Sequence, residues 1–318
     1  MDLEYIECNL CGHDNAESLF EQQDSLTVCP IRFRVVKCKE CGLVYINPRP
    51  SMQDIHAFYP KNFVSYQFEL FDSKRRSLRE RLLSLVTKSS AVHRVGVVEK
   101  VLKPDANLNS LDLGCGKGSF LYYLRERFQC GVTGIDFDEG SIKYCREVLD
   151  IRSVHGDINK LPALGEKFDL ITMWHYFEHE FDPLSALFKI NNCLKDGQFL
   201  ILEVPNAESL ENNFFKKKSY LYDVPRHLYN FSPATINAYL EKAGFRVQRI
   251  SFPYFSGGWI GTAQNLLFQG KIYKELKDNI FLFLLLSQIF FPLEYVLSKT
   301  NKGSIMTVVA QKITNRPQ

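Results

Sequence analysis

Several things are scarce in this 318-residue chain. Long apolar runs are few. The most prominent, Ile280 to Leu286, is too short for roughly 30 Å of bilayer hydrocarbon, and Pro292 and Glu294 interrupt its extension. Net charge is also small: 39 Lys and Arg against 36 Asp and Glu leave +3, too little to argue for a nucleic-acid partner. No internal repeat or low-complexity tract occurs. Hydrophobic residues at 45% and charged residues at 24% exclude general disorder. The opening MDLEYIECNL carries acids and no apolar core, so no secretory signal is expected. On that reading the chain stays in the reducing cytoplasm, and its nine cysteines are metal ligands or reduced thiols. The length suits one large domain or two smaller ones.

What the chain does contain is organised around Leu111-Asp112-Leu113-Gly114-Cys115-Gly116-Lys117-Gly118-Ser119-Phe120. The apolar residues before Gly114 read as the end of a buried parallel strand, and Phe120 to Phe128 as a helix. Between them, glycines at alternate positions let the backbone turn and let a ligand approach it closely. The spacing is GxGxG, not the dinucleotide pattern GxGxxG. Val132 to Asp136 reads as the next strand. Its terminal acid lies twenty residues after Gly116, where a carboxylate can accept bonds from both ribose hydroxyls of a nucleoside.

These residues resemble motif I of the class I S-adenosylmethionine (SAM)-dependent methyltransferases, and Asp136 matches the ribose-binding acid of that family. His155-Gly156-Asp157-Ile158, Phe168 to Met173 and Leu194 to Ile201 resemble the segments that follow, over about Val95 to Phe252. The resemblance implies a Rossmann-like α/β fold with a seven-stranded, mostly parallel sheet and an antiparallel last strand. It implies SAM contacts at Asp112, Gly114, Cys115, Gly116, Gly118, Asp136, Phe137, Asp157, Ile158 and Trp174. A tyrosine in the aromatic stretch Phe58 to Tyr66 often covers the methionine end in this family, and Tyr66 is the candidate. The alternative for it is packing between the N-terminal module and the core.

Residues 1–50 carry a second pattern, Cys8-x-x-Cys11-Gly12 and Cys38-x-x-Cys41-Gly42. Two such knuckles around a short β-rich stretch form a four-thiolate, closed and therefore structural zinc site, the zinc-ribbon arrangement. A lost or redox-active site is the alternative. The layout through Asn47-Pro48-Arg49-Pro50 resembles a methyltransferase subgroup found in carbohydrate and secondary-metabolite pathways, some of whose members methylate nucleotide-linked deoxysugars. Ser51 caps a helix expected from near Met52. Residues 74–103 read as helical, with Leu78, Leu82, Leu85 and Val86 on one face and a break near Ser89-Ser90. The expected organisation is a ribbon (1–50), a helical lid or linker (51–104) and a SAM-binding core (105–318) with insertions at 207–232 and 253–303.

In parallel sheets, ligands sit beyond the carboxyl ends of the strands. Trp174-His175-Tyr176-Phe177-Glu178-His179 follows the fourth core strand, so it lies where a methyl group would be delivered. His179 is a candidate general base, Glu178 orients it or meets the cofactor, and His175 is a substrate contact. The alternative is that Glu178 or His179 caps the helix starting near Pro183. The block Arg226-His227-x-x-x-Phe231-Ser232 resembles a family segment that tops the pocket. It makes His227 the rival base and Arg226 a bidentate phosphate grip. Lys216-Lys217-Lys218 reads first as a solvated turn.

Apolar residues cover every face of the helix read from Ile280, so something must bury it. A buried helix pair, a shallow membrane anchor through 280–297 on the inner membrane face, and a dimer face all fit. The two histidines favour methylation of an oxygen or carbon, since both acceptors need a base. The resemblance to the carbohydrate-pathway subgroup implies a small-molecule acceptor, a sugar or sugar-linked compound, nucleotide-linked or, given the apolar insertion, lipid-linked. The alternatives are a non-catalytic ribbon adaptor and an RNA or protein methyltransferase. No Asn/Asp-Pro-Pro-Tyr/Phe block follows the fourth strand, which argues against an amino-nitrogen acceptor.

Overall fold

The computed structural model describes residues 2–24, 26–27, 29–59, 70, 78–255, 257–268 and 280–313. Tyr66 lies outside the described residues. The chain opens with five short strands, β1 (Leu3–Glu4), β2 (Ala16–Gln23), β3 (Arg32–Cys38), β4 (Val44–Ile46) and β5 (Arg49–Pro50). Strand β5 pairs with β1, and where a helix is expected from Met52 there is a turn and then a 3-10 turn, Ile55–Phe58.

Helix α1 (Leu78–Leu102) then runs unbroken through Ser89-Ser90. Serine costs a helix interior only a fraction of a kcal/mol, and both serines are exposed, so neither hydroxyl loses water. The packed face is also not the expected one. Leu78 and Leu85 are exposed, whereas Ala91, Val95 and Val98, further along, are buried.

The core alternates strand and helix. Its elements are β6 (Asn109–Leu113), α2 (Ser119–Phe128), β7 (Gly131–Asp136), α3 (Glu139–Glu147), β8 (Arg152–His155), β9 (Phe168–Trp174), α4 (Pro183–Cys193) and β10 (Leu194–Pro205). After these come α5 (Leu210–Phe215), β11 (Tyr229–Asn230), α6 (Pro233–Lys242), β12 (Phe245–Ser251), α7 (Gly257–Phe268), α8 (Ile280–Ser298) and β13 (Ile305–Lys312). Seven strands form one sheet in the order β12-β13-β10-β9-β6-β7-β8. Strands β6 to β10 run parallel, and β13 is antiparallel to both its neighbours. This is the expected Rossmann-like class I arrangement. Leu111, Leu113, Ile171, Leu200 and Leu202 are fully buried in it. Each contributes roughly 1.5–3 kcal/mol. The strand order reverses at β6, which opens a crevice at the carboxyl ends of β6, β7 and β9.

Two features differ from the sequence reading. First, the boundary at residue 50 is not a seam. Strand β11, from the 207–232 insertion, pairs with β4 and completes the sheet β11-β4-β3-β2. Second, α8 continues through Pro292 and Glu294 to Ser298. Glu294 points inward, fully buried, and accepts a bond from Trp259 Nε1 at 2.5 Å. The helix is therefore not apolar on every packed face. Trp259 also stacks on Phe290, while Leu285, Ile289 and Val296 face outward. Among the described residues, no helix is long and apolar enough to cross a membrane.

Candidate functional site

The loop after β6 has the backbone its glycines imply. Gly114, Gly116 and Gly118 have φ of 72°, 51° and 71°. A Cβ at Gly114 would stand 2.7 Å from the Tyr176 ring. The loop is drawn onto β7 by one carboxylate: Gly116 N–H donates to Asp136 Oδ2 at 2.8 Å, and Asp138 N–H donates to Oδ1 at 2.9 Å. Burial raises the pKa of Asp136, while these backbone donors favour its charged form.

A cavity of about 660 Å³ opens beside this loop. Gly114, Cys115, Gly116, Asp136, Phe137, Asp157 and Trp174 line it, together with His175 and His179. Three expected cofactor residues do not line it. Asp112 is buried between β6 and β9, bonded to Thr172 Oγ1 at 2.6 Å, with burial lifting its pKa to about 7. Gly118 faces Cys145 Sγ instead. Ile158 is buried. All three shape the walls from behind. A loop of left-handed glycines, closed over by Tyr176 and tethered to a carboxylate at the next strand tip, fits SAM.

The other end of the cavity is built by the turn after β9. His175 has a φ of +56°, and a 3-10 turn, Phe177–His179, carries the chain back under it. His175 stands between two buried carboxylates, Glu178 and Glu203, each at 3.4 Å. Burial lowers its pKa, but the two carboxylates more than reverse this and bring it to about 9. Glu203 is held at about 2, its burial outweighed by His175 and Arg94. Arg94, from α1, reaches Glu203 at 3.2 Å and lies over the Trp174 ring.

His179 contacts the Arg226 carbonyl through Nδ1 at 2.9 Å. A carbonyl only accepts, so Nδ1 carries the proton and Nε2 keeps its lone pair. Burial pulls the pKa of His179 down to about 4. The helix-capping alternative for Glu178 and His179 fails, because Asp182 caps α4.

His227 does not line the cavity. It sits behind His179, with ring centroids 4.8 Å apart, and contacts the Leu221 carbonyl through Nδ1 at 2.8 Å. Glu178 is fully buried and lies outside the cavity lining, so it cannot meet the cofactor there. It faces His175 and His227 instead.

Arg226 corrects the sequence reading most clearly. Its side chain is fully buried and binds Asp223 through two bonds of 2.8 and 2.6 Å. It also reaches Asp24 at 2.9 Å and the Phe58 carbonyl at 3.0 Å. No phosphate can reach it; it ties the N-terminal module to the core. The Lys216 to Lys218 triplet is an exposed 3-10 turn, as expected.

Arg94, Glu203 and Tyr59 were missed by sequence reasoning. Arg94 reads as one more cation on a polar helix face, and nothing in its spacing points to Glu203, 109 positions away. Tyr59 also lines the cavity, with its hydroxyl 3.1 Å from His179 Nδ1.

At the N-terminus, one sulfur from each of Cys8, Cys11, Cys38 and Cys41 lies within 4.8 Å of the others. The pairs Cys8–Cys41 and Cys11–Cys38 stand 3.4 and 3.5 Å apart. Sulfurs around a tetrahedral zinc are about 3.8 Å apart, given bonds near 2.3 Å, so the donor set fits that ion.

A family profile described as a methyltransferase domain matches residues 75–250. A ubiquinone biosynthesis O-methyltransferase of Ruegeria sp. (strain TM1040) is 30% identical over 174 residues, covering 50% of this chain and 70% of that protein. A tRNA U34 carboxymethyltransferase of Methylococcus capsulatus is 26% identical over 162 residues, 48% of this chain and 49% of that protein. Among solved structures, the magnesium protoporphyrin IX methyltransferase of Synechocystis PCC 6803 superposes with a TM-score of 0.50 at 15% identity, over 82% of this chain and all of that one. That likeness speaks to the fold. The profile spans more than half of the chain, from α1 across the glycine loop to β12, and with it the chain belongs to the methyltransferase-domain family and is a class I SAM-dependent methyltransferase.

Proposed function

We propose that this enzyme methylates a hydroxyl oxygen on a small molecule with a substantial apolar body. The observation that carries the reading is the composition of one cavity. It runs from Asp136 and Gly116 to His175 and His179, then continues between apolar side chains of α1, α7 and α8, including Leu83, Val86, Ile260 and Phe283. The names of the ubiquinone-biosynthesis relatives point the same way.

In this reading Asp136 holds the ribose, and the loop Gly114 to Gly116 holds the methionine side of SAM. SAM supplies a methyl group on a sulfonium, which a nucleophile displaces directly. The protein's work is then alignment and exclusion of water. Tyr59 and Tyr176 wall the reacting end. His179 presents Nε2 to the acceptor and takes its proton as the O–CH₃ bond forms. His175, charged and pinned by Glu178 and Glu203, fixes the turn that carries His179. Labelled SAM offered with polyprenylated phenols, simple phenols and nucleotide sugars tests this; labelling of the nucleotide sugars alone removes the apolar acceptor.

A sugar-linked acceptor is the second reading, favoured by the CxxCG…CxxCG…NPRP layout. The four cysteines hold a structural zinc, supported by their convergence. Nine cysteines, none in a disulfide, suit the cytoplasm. The outward apolar side chains of α8 make a peripheral contact with a membrane, from which a lipid-like acceptor is drawn.

A further inference from the structure

We propose that Glu178, His179 and His227 together hold a divalent first-row transition-metal ion at the inner wall of the cavity. The site goes beyond methyl transfer; only the ion's role toward the acceptor, below, rests on that reading.

Glu178 provides the first argument. Its carboxylate is fully buried, and neither oxygen has a hydrogen-bond partner among the described residues. A buried carboxylate with no hydrogen bond to either oxygen is expensive, and the charged His175 that faces it is shared with Glu203. The nearest candidate, His175 Nδ1, stands at 3.4 Å without hydrogen-bond geometry. No lysine or arginine pairs with Glu178 among the described residues.

The second argument is convergence. One ligand atom from each of Glu178, His179 and His227 lies within 4.8 Å of the others. Around an ion bound at roughly 2.0–2.2 Å, such atoms stand about 3.0–3.5 Å apart. The ligand atoms need to approach by roughly 1–2 Å to reach that spacing.

The third argument is the outer shell. His179 Nδ1 contacts the Arg226 carbonyl and His227 Nδ1 the Leu221 carbonyl. Both rings therefore carry their proton on Nδ1 and keep a lone pair on Nε2. Ligating histidines are oriented in this way. Arg226, locked onto Asp24 and Asp223, fixes the loop that supplies both the carbonyl and His227.

Two nitrogens and one oxygen favour zinc, iron, cobalt or manganese over magnesium or calcium. Three protein ligands leave open positions, and His179 reaches the cavity. The ion therefore takes an acceptor with one or two adjacent oxygens, such as a catechol, and lowers the pKa of the bound hydroxyl. With the ion loaded, His179 Nε2 is a ligand in place of the base: the bound hydroxyl releases its proton to water in the cavity, its oxygen displaces the methyl group from the sulfonium of SAM, and S-adenosylhomocysteine leaves.

Cobalt titration of the full chain, stripped of metal and reduced, tests the site. The four-thiolate site gives intense sulfur-to-cobalt charge transfer, and the new site gives weak visible bands without it. The expected result is about two equivalents bound in the wild type. In Glu178→Gln and His227→Gln the second equivalent binds at least 10-fold more weakly, with the charge-transfer bands unchanged. Those bands and the melting curve verify folding in each variant. One equivalent in the wild type, or an unweakened second equivalent in both variants, overturns the proposal. Calorimetry with SAM keeps the two readings apart: a second cobalt with no labelled product on any acceptor sinks the methyl-transfer reading alone, and full turnover with only the thiolate site loaded sinks the ion.

Discussion

Arg226 and Asp24, neither with any exposed side-chain surface, pair at 2.9 Å across the junction between the N-terminal sheet and the core. Asp24 also accepts the Leu26 and Thr27 backbone N–H groups, which fixes the loop between β2 and β3. Arg226 passes the constraint on, since its own carbonyl orients His179. Removing one partner of a buried pair strands the other charge and costs about 3–5 kcal/mol. Arg226→Met should therefore lower the unfolding midpoint in urea by that equivalent. Its KM for an anionic acceptor should not rise selectively over a neutral one. A selective rise with stability unchanged restores the phosphate-grip role.

A second prediction concerns pH. Ser304 Oγ lies 3.0 Å from Glu211 Oε2 and 2.7 Å from Glu294 Oε1. One hydroxyl proton cannot serve two carboxylates, so one of them keeps its own. Burial raises the pKa of Glu211 to about 7. Between its ordinary value of 4.5 and about 7, the folded state holds more protons than the unfolded state, so stability falls as pH rises. Glu211→Gln should flatten that slope. Its melting temperature should exceed the wild type's at pH 8 by roughly 5 °C, with the gap closing toward pH 4.5. Parallel melting curves across the range contradict the assignment.

Asp136→Ala tests the nucleoside pocket. Two charge-assisted bonds to ribose contribute roughly 1.5–3 kcal/mol each, so SAM affinity by calorimetry should fall about 100-fold or more. Unchanged affinity removes Asp136 from the pocket's function.

Cys38→Ser should release the zinc measured by mass spectrometry. It should also speed amide exchange in β3, β4 and β11, because β11 pairs with β4. Exchange confined to residues 1–50 would mean that the module is energetically separate from the core.

The outward apolar residues of α8 give a fifth prediction. Leu285→Ser with Ile289→Ser should reduce co-sedimentation with lipid vesicles by about 10-fold or more, given roughly 1.5–3 kcal/mol for each side chain buried. Equal sedimentation of both forms excludes this face as the contact.

The glycine loop, Asp136 and the four sulfurs could be read from sequence because their chemistry is local. A left-handed turn needs glycine wherever it occurs, and a CxxC pair brings its sulfurs together within one turn of chain. The parallel strands were legible for the same reason: each buried run is bounded by its own turn residues.

The roles of Arg226, Arg94 and Glu178 were not local. An arginine in sequence reads as an exposed cation; only the tertiary structure brought Asp24, some 200 positions away, against Arg226 and withdrew it from any ligand. The same holds for β11, which joins a sheet whose other strands lie within the first fifty residues. By itself the sequence determined the glycine loop with its facing carboxylate and the thiolate cluster, where short-range backbone geometry dictates the residue types. Only the folded chain decided which charges are buried together, because the energy of a buried charge depends on neighbours that the order of residues does not name.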